Sequence, residues 1–218
     1  MTPSISMSTL RVSWDDYYAL IAAQEGRPVA NAFCMHVFEH QDGSYLQEAE
    51  DCLALFRGHG SFASLPNRDR KTIAGFGPHT TGHFGCMRGA GKFMSIVNTQ
   101  PTLIGSSLDG IPLTGAVSSK QARTFLQSVM GLGGVGLACA SRLLGMKRAD
   151  LFLPVNRGNY GGIAHVFGWQ PWNVDDYLSL HDRIWGLPWF ASPAPRDVNQ
   201  KRVWHTRVAM LDAVLYDG

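Results

Sequence analysis

The stretch Leu132–Asn156, LGGVGLACASRLLGMKRADLFLPVN, sets three glycines within four residues ahead of a small-residue, helix-forming run and closes on Leu-Pro-Val-Asn. Upstream, Ser118 followed three residues later by Gln121 forms a capping-box pattern, and Ala122, Phe125, Leu126, Val129 and Met130 recur at helical spacing. The segment 118–130 therefore reads as a helix, the glycines as a tight hairpin, and the run from Gly136 as a second helix with Gly145 as its expected stop. Gly133, Gly134 and Gly136 allow positive φ and remove side chains that would hold another surface away. Exposed amides and the positive dipole end at a helix start make such a hairpin an anion site, suited to a phosphate. A dinucleotide-binding loop needs a preceding strand. Here a capped helix precedes, which removes the nucleotide-cofactor reading.

Working outward, 13–24 (SWDDYYALIAAQ) and 44–60 (SYLQEAEDCLALFRGHG) combine a capping serine with helical apolar spacing. The region 60–91 is rich in Gly, Pro, Thr and His and reads as loops. In the C-terminal third, 185–195 is broken by prolines, whereas 203–216 is expected to form one helix. The tryptophans there read first as core. The fold class expected is mainly α, one compact helical unit over 1–218 with long loops, and with 118–160 as the region that carries function.

No apolar run approaches the roughly 18 residues that span a bilayer, so no membrane partner is expected, and a cytoplasmic location follows from the absence of a signal-like start. The four cysteines are scattered without a C-x-x-C pair, which argues against a zinc or iron–sulfur site. No cofactor and no metal are expected. Net charge is only +2, but Arg142, Lys147, Arg148, Arg157, Arg183, Arg196, Lys201, Arg202 and Arg207 gather in the C-terminal half, a distribution compatible with nucleic acid.

The order amphipathic helix, LGGVG, small-residue helix with Ala138, Cys139 and Ala140, then FLPVN resembles the helix-hairpin-helix DNA glycosylases, over about residues 118–160. In that family the hairpin is typically L-P-G-V-G and the loop P-V-D. The resemblance implies a helix-hairpin-helix DNA glycosylase-like fold. It also implies a monomeric enzyme that flips a modified base out of double-stranded DNA and hydrolyses its glycosidic bond, leaving an abasic site. Gly133, Gly134, Gly136, Arg142, Lys147 and Arg157 are then the expected DNA-binding residues. Ala138 stands where strand-cutting members carry a lysine, which implies a monofunctional hydrolase; Lys92, Lys120 and Lys147 are the other lysines considered for that role.

Asn156 stands where the family has its catalytic aspartate. An amide lacks the charge that stabilises a cationic sugar. Three readings stay open: Asn156 positions water, another carboxylate has moved in, or the domain only binds DNA. The acids considered are Asp150, Asp175 and Asp176 on one side and Glu48, Glu50 and Asp51 on the other, with Asn156 and Asp150 taken as the catalytic pair. A flipped base needs flat walls and polar readers. GFGPHTTGHFGCMRGAGKF, 75–93, offers Phe76, His79, His83, Phe84, Arg88, Lys92 and Phe93 for that pocket. A damaged purine, or a bulky glucosylated hydroxymethylcytosine of phage DNA, is the substrate class the resemblance implies.

Overall fold

The computed structural model describes residues 5–29, 33–41, 43–77, 83–85, 87 and 89–216. Among them the chain is mainly helical: α1 (Met7–Leu10), α2 (Trp14–Ala22), α3 (Tyr45–His59), α4 (Asn67–Ile73), α5 (Gly91–Thr99), α6 (Pro101–Leu108), α7 (Ser119–Met130), α8 (Leu137–Lys147), α9 (Tyr160–Phe167), α10 (Val174–Trp185), α11 (Val198–His205) and α12 (Leu211–Leu215). A two-stranded antiparallel ladder, β1 (Pro28–Val29) and β2 (Phe33–Cys34), pairs Pro28 with Cys34 and Val29 with Phe33. Among the described residues no helix is long and apolar enough to cross a membrane.

The α7–turn–α8 segment follows its sequence pattern. Ser118 Oγ accepts from the Gln121 amide at 3.2 Å while Gln121 Oε1 accepts from the Ser118 amide at 2.9 Å, so the capping box closes. Ala122, Phe125, Leu126 and Val129 are fully buried, and a side chain the size of Phe or Leu contributes about 1.5–3 kcal/mol when so buried. Gly133 and Gly134 have φ of 63° and 74°, turning the chain sharply into α8.

Helix α8 is the central element. Leu137 and every residue from Cys139 to Lys147 are buried, and α3, α4 and α7 pack around it. Gly145 does not end this helix. It lies inside it because a Cβ there would stand 2.6 Å from the Pro154 ring, so the bare position lets the following loop fold back onto the helix.

That loop, 148–159, has its backbone satisfied by side chains. Ser141 Oγ accepts from the Val155 amide at 3.0 Å, His181 Nε2 from the Leu153 amide at 2.9 Å, and the Tyr177 hydroxyl donates to the Leu153 carbonyl at 2.9 Å. Burial pushes His181 down to about 4, so the ring stays neutral and its Nε2 remains an acceptor.

The expected helix over 203–216 is two helices. After α11 the amides of Val208 and Ala209 both donate to the Ala149 carbonyl, at 3.1 and 2.9 Å, which draws the backbone off the helical path until α12 begins. The first and last parts of the chain interlock. Tyr17 donates to the Arg207 carbonyl at 2.6 Å, Trp14 to Gln200 at 2.8 Å, and Arg27 to the carbonyls of Ala213 and Tyr216. Tyr17 also stacks on Trp189 at 3.9 Å, so this tryptophan is core. Trp172, by contrast, is 69% exposed.

Candidate active site

The hairpin lies at the surface. Gly133, Gly134 and Gly136 are exposed, and a Cβ built on Gly133 or Gly136 meets nothing within 4 Å. Gly136 is the N-cap of α8 and offers no side chain to its first amides. Against Gly134 lies the aliphatic stem of Lys92, 3.1 Å from a Cβ placed there, on the first turn of α5. That helix likewise begins without a side-chain cap, at Ala90. Two open helix starts and one exposed lysine are thus neighbours, an arrangement that favours an anion.

Asn156 sits on the loop after α8 and is 5% exposed. Its amide is held at both ends: Nδ2 donates to Asp212 Oδ1 at 3.3 Å, and Oδ1 accepts from the Gly158 amide at 2.8 Å. Asn159 caps the Asn156 amide at 2.9 Å through Oδ1 and donates through Nδ2 to the Pro154 carbonyl and to the same Asp212 oxygen. Gly85, with φ of 86°, passes so close that a Cβ there would meet the Asn156 side chain at 2.8 Å.

Asp212, on α12, is fully buried. Its Oδ1 holds both amides, and the Tyr45 hydroxyl lies against the carboxyl and hydrogen-bonds to it. Burial pushes this carboxyl up to about 8. Hydrogen bonds from Asn159, Asn156 and the neighbouring Tyr45 work against that rise, and the Glu48 charge adds to it. Tyr45 is itself raised well above its ordinary range by burial and by the adjacent acids.

Glu48, one turn along α3 from Tyr45, is buried beside His83 Nδ1 at 3.3 Å and Arg142 Nη2 at 2.5 Å. Burial pushes its carboxyl up, but the Arg142 charge and the hydrogen bonds from His83 and Arg142 more than offset this, so it stays below the usual carboxylate range. The arrangement is therefore a buried pair of unlike acids. Glu48 is held below the usual carboxylate range by a cation, whereas burial lifts Asp212 to about 8.

The other expected residues take different places. Arg142 was expected on DNA, but it is fully enclosed and donates to Glu48 and to the carbonyls of Ile73, Gly85 and Thr72. Lys147 was expected there too; it is 3% exposed and donates to the Leu108 carbonyl at 2.8 Å. Both lie on a helix buried on every side, so neither cation is offered to a backbone phosphate. The broader cationic face is likewise reduced, since Arg148 is clamped to Asp150, Arg202 to Glu50 and Glu39, and Arg207 is buried. Arg157, next to Asn156, is exposed.

Asp150 does not reach Asn156. Both of its oxygens bind Arg148, at 2.8 and 2.9 Å, so its pairing with Asn156 is corrected and the acid on that amide is Asp212. Asp175 is exposed against Arg123, Asp176 accepts from the Trp172 amide, Glu50 binds Arg202, and Asp51 accepts from Gln47. Of the acids considered, Glu48 alone joins the cluster. Phe84 is fully buried edge-on to Tyr45 at 4.9 Å, which makes it packing under the site rather than an open wall. Phe76 leans on Phe93 at 5.5 Å and is half-buried. His83 is in the cluster through Glu48, while His79 and Arg88 lie outside the described residues.

The residues missed in the sequence are Asp212, Tyr45 and Asn159. A signal for the first was present: VAMLDAVLY places one acid amid apolar residues on both sides, the pattern of a buried and hence special carboxyl. Compared with protein-family models, curated proteins and solved structures, the chain matches none.

Proposed function

We propose that this chain is a DNA N-glycosylase of the helix-hairpin-helix kind. In this reading it grips the sugar–phosphate backbone with the Gly133–Gly136 hairpin and extrudes a modified base from double-stranded DNA. The glycosidic bond is then hydrolysed. The C1′–N electron pair leaves with the base, the hydroxyl of water ends on C1′, and the remaining proton ends on the released base. An abasic site is left and the strand is not cut, because Ala138 offers no amine to form an imine. A modified base, either a damaged purine or a bulky modified cytosine, is the substrate class proposed, and the protein acts as a monomer in the cytoplasm.

One observation carries this reading most directly. The glycine hairpin is open to solvent at the start of α8, and the loop that follows the same helix delivers an amide fixed at both ends onto a buried carboxyl. Lys92 against Gly134 and the exposed Arg157 add charge where a strand would run.

Gly136 gives a clean test of the grip. Its φ of −89° suits any residue and its Cβ direction is open, so Gly136→Leu leaves the fold unchanged while placing a side chain where a phosphate would approach. Duplex affinity measured by fluorescence anisotropy is expected to fall about tenfold or more, the equivalent of one charge-assisted hydrogen bond. Unchanged affinity would remove the hairpin from the interface.

The chemistry is tested by incubating duplexes that carry chemically distinct modified bases with the protein. Free bases are identified by mass spectrometry, and abasic sites by alkaline cleavage. Base release from at least one duplex is expected, with Asn156→Ala slowing it about a hundredfold at unchanged duplex affinity, a loss typical of one preorganised polar group. Binding to every duplex with release from none would identify a non-catalytic DNA-binding module instead.

A further inference from the structure

The Asp212 carboxyl is an expensive group to keep where it is. Two amides need only a neutral acceptor, which an asparagine would supply without a titrating group. The fold instead encloses an acid whose ionised form burial disfavours. Its folded value is above the ordinary one, so the stability tied to its proton is full below the ordinary carboxylate value and is lost as the pH rises through about 8. One oxygen serves Asn156 and Asn159, and the Tyr45 hydroxyl lies against the carboxyl. Packing alone does not call for a titratable group where two amides and a phenol meet.

The surroundings contain compensated charges and one uncompensated acid. From α3, Glu48 and Tyr45 face Asp212. From the 83–85 loop comes His83 and from α8 Arg142, both spent on Glu48. Tyr216, beyond α12, lies near Tyr45 and packs over Gly158, and Arg27 is spent on the carbonyls of Ala213 and Tyr216. No described cation is directed at Asp212. When this carboxyl ionises, its charge lies against Tyr45, Glu48 and the two amides it holds, of which Asn156 is the less buried. Asn156 then retains one Nδ2 hydrogen and one Oδ1 lone pair for water and sugar.

We propose that Asp212 is a positioning residue for the glycosidic reaction: its Oδ1 fixes the Asn156 and Asn159 amides, and its ionised form supplies behind Asn156 the negative potential that an amide at that position lacks. This rests on the glycosylase reading. The carboxyl does not touch substrate; it sets the orientation of Asn156 and the field at the cationic sugar. Its proton goes to solvent as the pH rises, so the reaction quickens through that titration.

The test compares wild type, Asp212→Asn and Asp212→Ala on a duplex that the wild type processes, by single-turnover base release from pH 5.5 to 9.5, with duplex affinity measured in parallel. The side-chain amide resonances of Asn156 and Asn159 are followed over the same range. Wild-type release is expected to rise with pH and level off above about 8, with both amides moving together at the same midpoint. Asp212→Asn keeps an acceptor for both amides. It is expected to bind DNA normally, release base about a hundredfold more slowly, and lose the pH-dependent limb and the amide titration. Asp212→Ala is expected to lose the fixed amides as well.

Full release by Asp212→Asn, or a pH limb that survives in it, overturns the proposal. Amides that do not move in the wild type overturn it whatever the activity. Moving amides in a protein that processes no modified duplex overturn the glycosylase reading first, and the positioning role of Asp212 with it.

Discussion

Replacing Arg142 with methionine is expected to lower stability by about 3–5 kcal/mol, the range found when one partner of a buried ion pair is removed. The guanidinium is fully enclosed and engages Glu48 at 2.5 Å, the Ile73 carbonyl at 2.9 Å, the Thr72 carbonyl at 3.2 Å and the Gly85 carbonyl at 3.3 Å. Methionine fills much of the volume but leaves a buried carboxylate without its cation, with only His83 beside it, and takes the Arg142 donor from three carbonyls. A drop in the denaturant midpoint at constant slope is the expected readout. Arg142→Met combined with Glu48→Leu is expected to recover most of the loss, because the buried charge goes with its partner. A single variant within 1 kcal/mol of wild type would show that the pair is not a structural clamp. The effect extends to the site. Gly75 adopts φ of 84° where a Cβ would stand 2.7 Å from the guanidinium, so the backbone on either side of the 78–82 region is shaped around this side chain.

Gly162→Ala carries the second large expectation, and its sign is opposite to helix propensity. Alanine within a helix normally gains about 1 kcal/mol over glycine. At Gly162 the added methyl would lie 2.0 Å from the Leu215 carbonyl oxygen and 2.8 Å from its carbon. The obstacle is main chain, which cannot rotate aside, so α9 and α12 must separate. Overpacking costs about 1–3 kcal/mol where side chains absorb it, and a larger loss is expected for this backbone contact. Thermal denaturation would read it directly. Because α12 carries Asp212 and α9 begins just after Asn159, separation also lengthens the hydrogen bond between them. A Gly162→Ala protein as stable as the wild type would show that the two helices have room to shift.

Local chemistry was legible in the sequence wherever neighbouring residues decide the outcome. The capping box at Ser118 and Gln121, the apolar face of α7, the positive φ of Gly133 and Gly134 and the serine-capped starts of α2 and α3 all appear where their patterns place them, whereas Gly136, read as a third such glycine, has an ordinary φ of −89°. What was not legible depends on distant partners. Gly145 looks like a helix stop because the sequence does not show Pro154 folding back upon it. Arg142 and Lys147 look like surface cations because a charge in a small-residue helix carries no mark of which face is enclosed. Asp150 looked like the acid nearest Asn156 by position, yet the acid that reaches it comes from 56 residues further along the chain.

The side-chain contacts that join the start of the chain to its last third, Trp14 with Gln200, Tyr17 with Arg207, and Arg27 with Ala213 and Tyr216, bridge 186 to 190 residues. Closing so long a loop adds little to its equilibrium cost, since that grows only with the logarithm of length, but contacts of such separation slow the search for the native arrangement. Arg27 fastens the end of α12 from the start of the chain, so the helix that carries Asp212 gains its full anchorage only when the two remote parts of the chain have met. Firm seating of the acid–amide cluster is thus tied to contacts that cross nearly the whole chain.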